Sequence, residues 1–93
     1  MMAEQFFSLG RIVATPGALE AMEESGESPL DFIKRHVSGD WGEVDVEDRE
    51  TNEQALMHGA RLLSAYRTKL GQRLWVISEA DRSATTILLP EEY

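Results

Sequence analysis

The chain has no cysteine among its 93 residues. That removes disulfide frameworks, thiolate zinc sites and thiol nucleophiles together, and it accords with a reducing compartment. No apolar run approaches the roughly 20 residues that a membrane helix needs. The start, Met1-Met2-Ala3-Glu4-Gln5, lacks the basic end and apolar stretch of a secretory signal. A cytoplasmic protein without membrane association is the expectation. Histidine is scarce: His36 and His58 stand alone, with no H-x-x-x-H or H-x-x-H pair, so no metal centre is expected. Each falls where a helix should end and is read as a charge favourable to the helix dipole. Basic residues are few, nine against seventeen acidic ones, for a net charge of −8. Direct binding of nucleic acid is not expected under that balance.

What is present is a globular composition, 42% hydrophobic and 28% charged, which is too apolar for a disordered chain. One domain over residues 1–93 is expected. The acidic residues are unevenly placed, because twelve of the seventeen fall between Glu20 and Glu53. Twelve acids against Lys34, Arg35 and Arg49 give this stretch a charge of −9, and the other 59 residues, six basic and five acidic, give +1. A field of one sign attracts basic partners and repels nucleic acid and acidic lipid.

Residue periodicity divides the chain into seven elements. Phe6 to Ala14 alternates as a strand does, with Gly10 marking a bulge or a close backbone approach. Thr15-Pro16 opens a first helix that Gly26 ends. Ser28-Pro29-Leu30-Asp31 opens a second with capping-box spacing, and Leu30, Ile33 and Val37 give its apolar stripe before Gly39. Asp40-Trp41-Gly42 is a turn bearing a large aromatic side chain. Asp45 caps a third helix that runs to about His58. Its apolar face, Val46, Ala55 and Leu56, is thin, as in a surface helix or one covered by another protein, a second copy of the chain included. From Leu62 the pattern alternates again. Leu62 to Thr68 and Arg73 to Glu79 read as strands around the loop Lys69-Leu70-Gly71-Gln72. Ala80-Asp81-Arg82 is a second tight connection, and Ser83 to Leu89 is a last strand closed by Pro90. The order β-α-α-α-β-β-β predicts an α+β fold, an antiparallel sheet of about four strands with about three helices on one face. Leu30, Ile33, Leu63, Leu74, Val76, Ile77, Ile87 and Leu89 are the expected core.

Catalytic motifs are absent. The run Asp40 to Glu47 lacks the acidic 1, 3, 5 spacing and the glycine of a calcium loop. Ser83, beside Asp81 and Arg82, has no histidine base suggested nearby, so a turn held by Asp81 is the better reading. The strand-to-helix passage at Thr15-Pro16-Gly17 has one glycine and no lysine where phosphate loops carry several residues in register. Glu79 and Asp81 follow one another across a turn with no sugar cleft marked. No catalytic residue, cofactor or metal is therefore assigned. Arg61, Arg67, Lys69, Arg73 and Arg82 gather in the strand half, which allows a basic sheet opposite acidic helices, but a solvated sheet face paired with neighbouring carboxylates is the better reading.

Three stretches carry a resemblance: Gly10 to Leu19, His36 with Gly39-Asp40-Trp41-Gly42, and the tail Glu79 to Tyr93. Together they resemble a family of small bacterial proteins carried on plasmids and other mobile elements. Some of its members bear the label of a type I restriction endonuclease methylation subunit. The chain lacks a glycine-rich cofactor turn and an Asn-Pro-Pro-Tyr-like motif, so methyl transfer is not implied. The resemblance implies a mobile-element setting, in which small acidic proteins block host defence by imitating DNA. The expectation is an interaction protein whose acidic segment engages a partner with a basic nucleic-acid-binding surface, such as a CRISPR effector or a restriction enzyme. Its contact residues would be Asp40, Glu43, Asp45, Glu47, Asp48, Glu50 and Glu53, with Trp41 either an aromatic anchor there or a plug in the core. The alternative is a regulatory or adaptor protein whose acidity serves only solubility.

Overall fold

The computed structural model of the protein describes residues 5–93. Strand β1 (Arg11–Ala14) is followed by helices α1 (Pro16–Ser25), α2 (Pro29–Val37) and α3 (Val46–His58). Strands β2 (Leu62–Arg67), β3 (Arg73–Ser78) and β4 (Ala84–Leu88) and a 3₁₀ turn (Pro90–Glu92) complete the chain. This is the expected α+β order.

The local start and stop signals act as read. Thr15 caps α1, Pro16 takes its first position and Gly26 closes it in the left-handed region, φ 73°. Ser28 and Asp31 form the reciprocal capping box of α2. The Asp45 carboxylate accepts from the Asp48 amide at 2.8 Å and starts α3. Gly71, at φ 86°, turns the β2–β3 loop, which closes through the Thr68 amide to the Gln72 carbonyl at 2.8 Å.

The sheet order is β1-β4-β3-β2. β2, β3 and β4 form the antiparallel meander, but β1 pairs with β4 in parallel, Arg11 with Ala84 through Ala14 with Ile87. The expectation of a purely antiparallel sheet is corrected here. All three helices separate β1 from the meander, and a strand joined by a long crossover takes its direction from that crossover, not from a hairpin. The first strand is also shorter than its alternation predicts. At Gly10 the backbone turns to φ 63°, so close to the Arg82 and Ser83 backbone that a β-carbon has no room. Residues before it leave the sheet: the Phe6 amide bonds to the Val37 carbonyl at 2.9 Å, and Phe7 packs on Trp41.

One face of the sheet is covered by helices. Tyr66, Leu74, Val76 and Ile87 meet Ala18, Ala21 and Met22 of α1 and Phe32 and Ile33 of α2 in the main core. Trp41, Ala55 and Leu62 form a second cluster. Ile33, Leu74, Val76, Ile77 and Ile87 are buried as expected, whereas Leu63 and Leu89 are half-buried and Leu30 is 57% exposed. The buried stripe of α2 is Phe32, Ile33, His36 and Val37, one position round from the expected one. Leu30 stands in the first turn, outside that stripe.

α3 is attached to the outer edge of β2 mostly by polar contacts. The Asn52 side chain receives the Leu63 amide at 3.0 Å and donates to the Leu63 carbonyl at 2.7 Å. Two residues along, the Ala65 amide bonds to the Trp41 carbonyl at 3.0 Å and the Ala65 carbonyl accepts from the Glu43 amide at 2.6 Å. The β2 edge is thus closed by its own chain. Asn52→Ala should lower stability by about 1–3 kcal/mol, because both backbone groups of Leu63 lose their partner. Urea denaturation measures it, and a loss under about 0.5 kcal/mol, the surface range, would show that Asn52 does not close the edge.

Candidate functional site

Eight residues were expected to form the contact surface, and the structure separates them by what each side chain holds. The Asp40 carboxylate accepts from Arg35 Nε at 2.7 Å and from the Gly42 amide at 3.2 Å, and these bonds hold it below the usual carboxylate range. Glu43 accepts from Arg67 Nε at 2.9 Å. Asp45 is the helix cap. Glu53 accepts from the Trp41 indole Nε1 at 2.9 Å. Trp41 itself is 4% exposed, stacked on Phe7 and edge-on to His36. Of the two roles open to Trp41, the structure gives it the core: it has no surface to offer a partner.

Glu47, Asp48 and Glu50 remain exposed, with no ion-pair partner among the described residues. At 100° per residue, Asp48 shares the side of α3 that carries Asn52 one turn on, towards the sheet. Glu47 and Glu50 lie on the outward side. The same side carries Val46, 67% exposed, and Met57, 77% exposed. α3 therefore presents two free carboxylates framed by two apolar side chains, while burying only Asn52 and Ala55.

In the strand half, Arg61 and Arg67 are paired with neighbouring carboxylates, as expected. Arg61 approaches Glu79 at 3.5 Å and donates to the Tyr93 hydroxyl at 2.6 Å, and Arg67 is held by Glu43. Arg82, at φ 60°, turns inward. Its guanidinium donates to the Ala60 carbonyl at 2.6 Å, the Glu79 carbonyl at 3.0 Å and the Ala55 carbonyl at 3.1 Å. It closes the C-terminal end of α3, a role invisible in the linear sequence. Asp81 holds its turn as expected, accepting from the Ser83 amide at 2.9 Å.

The arrangement that sequence reading missed is a buried chain of hydroxyls through His36. Ser64 Oγ lies 2.6 Å from His36 Nδ1, Ser78 Oγ lies 3.0 Å from Nε2, and Ser78 Oγ lies 2.6 Å from Thr85 Oγ1. Thr85 donates to the Leu9 carbonyl at 2.8 Å. The terminal carbonyl can only accept, so it sets the direction of each bond back to His36 Nε2, and the neutral ring then accepts at Nδ1. Thr85 gives its proton to Leu9, Ser78 gives its own to Thr85, His36 donates from Nε2 to Ser78, and Ser64 donates to Nδ1. The row thus places a proton on Nε2, and burial, by disfavouring the charged ring, leaves Nδ1 free to accept from Ser64. The pairing of serine with histidine has the reach of a nucleophile and its base, yet His36, Ser64, Ser78 and Thr85 are all 0% exposed. No substrate reaches them, and the chain acts as an internal polar fastening. The expectation of a charged His36 at the end of α2 is corrected: burial first, and the Arg82 charge second, push its pKa down to about 4. His58 lies exposed in the last turn of α3 as expected.

Among the described residues no three His, Cys, Asp or Glu side chains group to hold a metal ion, and no helix is long and apolar enough to cross a membrane. No family model, curated protein or solved structure matches the chain.

A depressed histidine pKa destabilises the fold in acid. Above the unfolded value of 6.5 the ring is neutral in both states and its contribution is whole; it is lost as pH falls from 6.5 towards about 4. Over that window the loss should reach about 3 kcal/mol. Urea titrations at stepped pH measure it, and His36→Gln should flatten the slope between pH 6.5 and 4.5. An unchanged slope in the variant would assign the acid sensitivity to other groups.

Proposed function

We propose that the protein is a non-catalytic interaction protein that occupies the basic nucleic-acid-binding surface of a partner. The observation that supports this reading is the outward side of α3, where Glu47 and Glu50 stand exposed and unpaired between Val46 and Met57. Two features make the side a surface for protein. Free carboxylates keep their full attraction for lysine and arginine, since no intramolecular guanidinium has to be displaced. Exposed apolar residues on the same side supply burial that a purely solvating face would not. Asp48 and Glu43 flank it and extend the field. Asp40, Asp45, Glu53 and Trp41 support it from behind by shaping the turn, capping the helix and tying the helix to the second apolar cluster.

The resemblance to proteins of mobile elements suggests the setting. The partner would be a nucleic-acid-targeting defence complex of the host, a CRISPR effector or restriction enzyme, inhibited when its basic channel is filled. Binding should be competitive with nucleic acid and should weaken with salt, since exposed charges are screened beyond roughly 8–10 Å at ordinary ionic strength. Glu47→Lys with Glu50→Lys should leave the circular dichroism spectrum unchanged and weaken binding to such a complex by more than about tenfold. Unchanged affinity, or binding indifferent to added nucleic acid, would reject the reading in favour of an adaptor whose acidity serves only solubility.

A further inference from the structure

The two edges of the sheet are treated differently. The β2 edge is closed by Asn52, Trp41 and Glu43, while the β1 edge is open among the described residues. The register fixes which groups face outward. The Arg11 amide bonds to the Ser83 carbonyl and the Thr15 amide to the Ile87 carbonyl, each at 3.0 Å, so residues 11, 13 and 15 turn their backbone groups to β4. Ile12 and Ala14 turn theirs away from the sheet, and no described residue bonds to them. The strand is short, four residues, and carries the charged Arg11, but it contains no proline, and Ile12 and Val13 are 45% and 40% exposed.

We infer that this edge pairs with the β1 edge of a second copy, antiparallel about a two-fold axis at Val13. In that register Ile12 of one copy and Ala14 of the other exchange both backbone hydrogen bonds, and the symmetric pair repeats them, giving four in all. The two Val13 side chains become direct cross-strand neighbours. Charge fits the same register. Arg11 has no ion-pair partner among the described residues, and it comes opposite Thr15 of the other copy. That threonine already holds a carboxylate: Thr15 Oγ1 donates to Glu92 Oε1 at 2.5 Å, and the Gly17 amide bonds to Glu92 Oε2 at 3.2 Å. Each Arg11 therefore faces a Glu92 across the axis, twice over by symmetry. The acidic residues of α3 lie against β2, at the far edge, whereas Glu20, Glu23 and Glu24 belong to α1, which contacts β4 and stands nearer the seam, so the Arg11–Glu92 pairs have that charge to offset. In the continuous eight-stranded sheet the two β2 strands stand about 34 Å apart at a strand spacing of about 4.8 Å, well beyond the screening length of roughly 8–10 Å. The interface is a different surface from the outward side of α3 and does not depend on the proposed function.

Sedimentation equilibrium across a wide concentration range tests the inference. The mass should rise towards twice the 10.5 kDa of the chain, and exchange of the Ile12 and Ala14 amides should slow as concentration rises. Ile12→Pro removes an outward N–H while leaving the β1–β4 ladder intact, and it should give a monomer with unchanged circular dichroism. Arg11→Glu, which alters only an exposed side chain, should weaken association more than about tenfold by facing Glu92 with a like charge. Should Ile12→Pro fail to fold, Arg11→Glu and the amide exchange still decide. A chain that stays at 10.5 kDa up to millimolar concentration, or a dimer indifferent to Arg11→Glu, would overturn it.

Discussion

The neutral imidazole of His36 is the group on which the rest of the arrangement depends. It leaves α2 and reaches β2 through Ser64, β3 through Ser78, and by way of Ser78 and Thr85 the carbonyl of Leu9 before β1. Five hydrogen-bonding groups from separate parts of the chain are satisfied in one row, and no buried side-chain nitrogen or oxygen is left without a partner among the described residues. A row of this kind is stable only when complete, since each unpaired member inside the core costs about 1–3 kcal/mol. The row ties the helical layer to the meander and the N-terminal segment to both. Phe7 then stacks on Trp41, and both rings stand edge-on to His36, at 5.2 Å and 5.7 Å. Trp41 in turn fixes Glu53 of α3.

This chain of dependence explains why α3 can be so polar. A helix with only Asn52 and Ala55 buried gains little from apolar burial. It is held by directed bonds: Asn52 to Leu63, Glu53 to Trp41, and the Arg82 guanidinium across its last carbonyls. Three-point polar attachment leaves the opposite side of the helix free of structural duty. The carboxylates of Glu47 and Glu50 are placed on that side, which is why the charge asymmetry seen along the chain becomes a surface in space.

Much of the fold is legible in the sequence where the signal is local. Capping boxes, proline at a first helical position and glycine past a helix end act over four or five residues, so Thr15, Ser28 with Asp31, Asp45 and Gly26 could be read directly. Alternation marked β2 to β4 for the same reason. The failures are non-local. The polar row joins positions 28 and 42 residues apart, and neither serine nor histidine carries a mark of burial. A partial signal did exist, because Ser64, Ser78 and Thr85 fall on the inward alternating positions of their strands, with Ser78 directly opposite Thr85 and Ser64 two residues along from the partner of Ser78. The direction of β1 depended on the crossover, and the stripe of α2 was displaced because Phe32 and His36, not Leu30, face the sheet. At the site, acidity was visible, but which carboxylates were already engaged was not. Asp40, Glu43 and Glu53 find their partners only in three dimensions.

Nuclear magnetic resonance of the His36 ring nitrogens, followed as a function of pH, tests the central role of the neutral imidazole most directly. The account predicts a ring held with its proton on Nε2 through the neutral range, with no titration of that signal until about pH 4. A ring that titrates near 6.5, the ordinary value for an exposed histidine, or one protonated on Nδ1, would contradict it.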